Sequence, residues 1–113
     1  MQRRPLEYVI ELTAHIVFIV EKEVECIRLR DMRKFRELQN IEMVLLQLLE
    51  EARSKIRGNT HALLRDSDPS TLENLNLVFA KLDRCLAVKH DLISQSCHRV
   101  AEWLCQPHSD TLN

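Results

Sequence analysis

The chain has 113 residues, 45% hydrophobic and 29% charged but only 4% aromatic, with one glycine and three prolines. So few glycines and prolines leave little for the tight turns of strand-rich folds, whereas long helices need almost none, so the composition predicts an all-α protein. A formal net charge of −1, from 16 basic and 17 acidic residues, supplies no global field toward nucleic acid or an anionic membrane.

The length suits a single helical domain, 1–113, with one modest core. Arg3 and Arg4 resemble the start of a signal peptide, but Glu7 and Glu11 interrupt the segment that would have to be uncharged. The apolar run Ile16–Val20 is far below the roughly 20 residues that span a bilayer, so no membrane insertion is expected. The expectation is a soluble cytoplasmic protein. Cys26, Cys85, Cys97 and Cys105 show no C-x-x-C spacing. They read as reduced thiols on helices, most of them partly buried, against the alternative of a disulfide in a secreted bundle.

Pro5 suits the first turn of a helix. From there Leu6, Val9, Leu12, Ile16, Ile19/Val20 and Ile27 recur at steps of three and four, which predicts a first helix over about 5–29. It is apolar around much of its circumference and needs more than one neighbour. The stripe fails at Arg28 to Lys34, where a turn at Leu29–Asp31 is favoured over a continuous rod, with Asp31 capping the next helix. Phe35, Leu38, Ile41, Leu45, Leu48/Leu49, Ala52 and Ile56 stripe this second helix, over 31–57. Gly58 and Asn59 supply the left-handed residues that end helices. A polar loop, 58–69, comes after it, in which His61-Ala62-Leu63-Leu64 can fold back onto the bundle.

A third helix, 70–106, opens on the capping box Ser70-Thr71-Leu72-Glu73, or on Asp68 with Pro69 at its first position. Leu72, Phe79, Leu86, Ile93 and Val100 fall seven apart, with Leu75, Leu82, Lys89, Ser96 and Trp103 as the companion row. Such heptads predict coiled-coil-like packing in an antiparallel three-helix bundle. Lys89 and Ser96 break the companion row, which marks either register control or a stretch that loosens toward solvent or a ligand. Pro107 ends the helix, leaving a frayed tail, 107–113.

No constellation of catalytic character stands out, and no enzyme activity is expected. Cys97 and Cys105 with His108 would place too few zinc ligands together, and no Glu-x-x-His pair of the di-iron kind occurs, so neither metal nor cofactor is expected. His15 could serve phosphotransfer only if exposed with small or cationic neighbours. Ile16, Phe18 and Ile19 crowd it, and a partly buried, hydrogen-bonded histidine is the plainer reading. The basic cluster Arg28, Arg30, Arg33, Lys34 and Arg36 suits an acidic protein surface better than nucleic acid, because Asp31 and Glu37 interleave and aromatic platforms are lacking.

The run Glu21-Lys22-Glu23, Glu25, Leu29-Arg30-Asp31, Phe35-Arg36-Glu37-Leu38-Gln39, Leu45 and Leu48-Leu49 resembles the FlgN-type flagellar export chaperones. Glu42-Met43 stands where that family commonly has Glu-Lys, and Lys89-His90-Asp91-Leu92 where it often has Asn followed by Leu. The resemblance implies a cytoplasmic protein that holds hook–filament junction subunits unassembled and delivers them to the type III export apparatus. Its clients would be amphipathic helices, received by the last helix through Leu86, Leu92, Ile93, Val100, Trp103 and Leu104. The plain alternative for each of these residues is bundle core. Truncation after Val88 should then leave the first two helices soluble but without client. The competing reading is a homodimeric scaffold that pairs through Ile16–Val20, so the protein is expected to be a monomer or a homodimer.

Overall fold

A computed structural model describes residues 5–105 as four helices: α1 Pro5–Leu29, α2 Met32–Arg57, α3 Thr60–Asp66 and α4 Pro69–Cys105. The described chain is all-α. Three helices were expected, and the correction falls in the 58–69 segment, where seven residues form α3 instead of loop. Pro107, His108 and the tail 107–113 lie outside the described residues.

The described molecule measures 72 × 23 × 22 Å, with a radius of gyration of 19.6 Å. A compact domain of this length would have about 13 Å, so this one is a rod. Its axis is α1, which packs against both α2 and α4. Ile16 and Val20 of α1 are fully enclosed, with Val17 and Leu82 beside them and Leu45, Leu49, Cys85 and Leu86 packed around. Nearer the base, Val9, Leu12 and Ala52 form a second cluster with Leu48, Ile56 and Leu75. Enclosing each such aliphatic side chain contributes about 2 kcal/mol. Going along α1, contacts climb α4 from Leu75 to Leu82 and descend α2 from Ala52 to Leu45. Hence α4 runs parallel to α1, and α2 antiparallel to both.

The turn expected at Leu29–Asp31 is present. Asp31 N–H donates to the Cys26 carbonyl at 2.9 Å and Arg30 N–H to the Ile27 carbonyl at 3.1 Å. This is the Schellman pattern, which satisfies the last carbonyls of a helix. The pattern needs a left-handed residue, and Arg30 fills that place at φ 59° where glycine is usual. Asp31 then caps α2, its carboxylate accepting from Lys34 N–H at 3.2 Å. These two caps, sharing adjacent residues, are why α1 and α2 need only two residues between them.

The other end differs from expectation. Gly58 is right-handed, at φ −77° and ψ −10°, so the expected left-handed stop does not form. Leu63 N–H donates to the Asn59 carbonyl at 3.0 Å, and Thr60 Oγ1 donates to the Arg57 carbonyl at 3.2 Å. The chain thus turns directly into α3, whose Leu63 is half-buried beside Tyr8, Ala52 and Ile56 at the base. Of the two starts considered for the last helix, the one at Pro69 is observed, with Leu72 N–H donating to the Asp68 carbonyl.

Arg30→Gly should raise unfolding stability by about 1 kcal/mol by relieving the left-handed arginine. Gly58→Ala should raise it by about 0.5–1 kcal/mol, because the position is helical and an added Cβ meets nothing within 4 Å. Urea unfolding of the two variants checks both, and a loss of stability in either would contradict the turn geometry described.

Candidate functional site

Above the apolar clusters the three long helices each contribute one ionisable side chain to a single layer. Lys89 of α4 donates to Glu23 of α1 at 3.1 and 3.2 Å, and to Glu42 of α2 at 2.5 and 3.1 Å. Glu23 has no exposed surface and Glu42 is 6% exposed. The Lys89 ammonium also lies 5.8 Å from the centroid of the buried Phe35 ring, within the range of cation–π attraction. Among the described residues no buried side-chain nitrogen or oxygen lacks a partner.

Two carboxyls around one ammonium cannot both stay ionised cheaply in such a place. Burial, with the neighbouring Glu42 carboxyl, raises Glu23 from 4.5 to about 8. Burial would also raise Glu42, but hydrogen bonds from Glu23 and Lys89 outweigh it and hold Glu42 below its ordinary value. Burial would lower Lys89, and here the hydrogen bonds to both carboxyls win and raise it. At neutral pH the carboxyl pair therefore keeps one proton, and the layer is neutral as a whole. Of the three side chains only Lys89 lines a cleft, beside Leu86, His90, Ile93 and Ser94, whereas the two carboxyls are enclosed and act within the fold.

Of the two alternatives for the companion row, register control fits Lys89: Leu82 is buried and Lys89 nearly so, and the row turns to solvent only at Ser96. In α2 the inward residue is Glu42, whereas Ile41, assigned to the stripe, is 47% exposed.

Level with Glu23 stands Lys89, so the end of α1 at Leu29 is level with about residue 95 of α4. The last ten or so residues of α4, ~15 Å of helix at 1.5 Å per residue, project past the α1–α2 turn. There the six residues expected to receive a partner divide. Leu86 is half-buried against the apolar cluster and belongs to the core. Leu92 is half-buried and Ile93 is at the margin of exposure. Val100, Trp103 and Leu104 are 57%, 61% and 65% exposed. Leu92, Ile93 and Val100 line one side of a cleft of about 840 Å³, and Ile27, Met32 and Phe35 line the other. The structure thus brings three of the six together with residues of the turn, which the sequence did not connect to them.

Other expectations need correction. In Ile16–Val20 only Phe18 is exposed, so the surface assigned to a homodimer is taken up inside the molecule. His15 is exposed instead of partly buried. Cys26 is buried, Cys85 is half-buried, and Cys97 and Cys105 are exposed free thiols. Burial, then the charge of Glu21, raises the Cys85 thiol. All five residues of the basic cluster are exposed. Among the described residues no group of three or more His, Cys, Asp or Glu is placed to hold a metal ion, and no helix is long and apolar enough to cross a membrane.

Compared with known proteins, the chain matches no family model, no curated protein and no solved structure.

The layer predicts a pH dependence of stability. Glu23, raised, contributes stability below its unfolded value of 4.5 that is lost as pH rises to about 8. Glu42, lowered, contributes stability above 4.5 that is lost as pH falls below it. Between pH 5 and 8 the wild type should therefore lose stability relative to Glu23→Gln, by on the order of 3 kcal/mol. Denaturant titrations across that range measure the difference. Parallel profiles for the two proteins would mean that Glu23 holds no proton in the folded state.

Proposed function

We propose that the protein is a binding module for amphipathic helices of protein clients, an export chaperone in manner, and that the projecting end of α4 is its docking edge. The observation that carries this reading is the exposure of Val100, Trp103 and Leu104 beyond the α1–α2 turn. Along the helix these residues share a face with Ile93, and Val100 and Ile93 are part of the cleft at the turn. An exposed apolar stripe at helical spacing suits a second helix laid along it. Ordinary bundle core, the plain alternative, fits Leu86 but not the three residues past the turn.

The resemblance to FlgN-type chaperones supplies the client class: subunits of the flagellar hook–filament junction, kept unassembled in the cytoplasm and passed to the type III export apparatus. Nothing in the layer or the clefts supports catalysis, and the neutral overall charge speaks against nucleic acid as the main ligand.

Trp103 is the only tryptophan and reports directly on this edge. Adding a purified junction subunit should shift its emission to the blue and yield a complex in sedimentation. Truncation should fall after Gln95, because a cut after Val88 would also remove Lys89 and leave Glu23 and Glu42 facing one another. The chain ending at Gln95 should lose only the helix signal of the ten residues 96–105 and lose the client. Unshifted emission together with unaltered sedimentation would exclude the chaperone reading, and a blue shift on concentrating the protein alone would favour self-association.

A further inference from the structure

The cleft beside the turn has a chemistry of its own. Its floor is aliphatic, made by Ile27, Met32, Leu92, Ile93 and Val100, and its basic groups are Arg28, Arg30 and Arg99. No aspartate or glutamate lines it. Among the described residues the ion pairs involve other groups, such as Lys22–Glu25, Arg53–Glu50, Lys81–Glu21 and His98–Glu102. None of the three guanidiniums is paired with a carboxylate of the described residues. This holds although the whole chain carries 17 acidic residues against 16 basic ones, so the imbalance is local to this cleft. Moreover, Arg30 occupies the left-handed position of the turn, where an arginine is less favourable than glycine.

We infer that the cleft selects an acidic amphipathic helix, one whose apolar stripe is flanked by Asp or Glu, and that Arg28, Arg30 and Arg99 make the selection. The inference rests on the helix-binding reading above and names the chemistry of the partner. Leu, Ile or Val side chains on one face of the incoming helix fill the aliphatic floor. Carboxylates beside them reach the guanidiniums, which present paired N–H donors matched to a carboxylate. Nucleic acid fits less well. The single aromatic side chain of the cleft, Phe35, is buried under Lys89 and offers no face on which a base could stack.

The test uses fluorescein-labelled synthetic helices of about 18 residues, five turns, that share one leucine stripe and carry Glu, Gln or Lys on the flanking positions. Anisotropy titrations with the full chain should rank them Glu, Gln, Lys. The Glu helix should bind at least about tenfold more tightly than the Lys helix, an advantage that shrinks as NaCl is raised. Arg28→Gln/Arg99→Gln should shrink the gap between the Glu and Lys helices while leaving the Gln helix bound. Arg30→Gly should bind the Glu helix more weakly without any loss of melting temperature, which separates this role from a merely structural one. Equal binding of the Glu and Lys helices would overturn the inference and leave helix binding standing. Failure of all three helices to bind would remove both. A single-stranded oligonucleotide that bound more tightly than the Glu helix would replace the acidic helix as the ligand.

Discussion

Lys89 reaches across the bundle to two carboxyls on two different helices, Glu23 and Glu42, and none of the three is appreciably exposed. The apolar clusters below this layer would tolerate sliding, because Leu, Ile and Val are interchangeable at low cost when volume is kept. The layer does not tolerate it. Moving α4 by one heptad relative to α1 would set Leu82 or Ser96 opposite Glu23 and leave buried charge unpaired, at a cost of several kcal/mol. Hydrophobic burial therefore supplies the stability of the rod, and the charged layer chooses among its registers.

That choice has a consequence at the far end. With Lys89 fixed level with Glu23, α4 has about ten residues more than the hairpin can cover, and these carry Val100, Trp103 and Leu104. The same alignment sets Leu92, Ile93 and Val100 opposite Ile27 and Met32, with Arg28, Arg30 and Arg99 around them. An exposed apolar edge thus arises from the mismatch between a 37-residue helix and neighbours of 25 and 26 residues, once register is set. No lid or moving part is required.

Much of the fold was legible in the residues. The turn at Leu29–Asp31 could be read because the apolar period fails there and Asp31 is a good cap. The end of α2 could not be read from Gly58 alone, because Thr60 and Asn59 recruit the next residues into α3 and the glycine never has to turn left-handed. The layer was half visible. Lys89 stood out as the break in its row, yet nothing singled out Glu23 and Glu42 for burial among many glutamates. Their positions carried the signal: Val9, Thr13, Ile16, Val20 and Glu23 keep steps of three and four, as do Phe35, Leu38, Glu42, Leu45 and Leu49. Each long helix therefore has one ionisable residue on its inward row, with signs that match. Pairing them needs the relative alignment of the helices, which one sequence does not contain. The cleft at the turn was illegible for the same reason, since Arg28 and Arg99 meet only after folding.

If the Glu23–Glu42–Lys89 layer selects one register, the four native thiols report it. Thiol-labelling kinetics should show Cys97 and Cys105 reacting fast in the wild type, with Cys26 and Cys85 protected in single slow phases. In the variant carrying Glu23→Leu, Glu42→Leu and Lys89→Leu, the account predicts a chain that stays helical but labels Cys85 in several phases, as registers mix. Single-phase protection of Cys85 identical to the wild type would contradict it, for apolar packing alone would then have set the alignment.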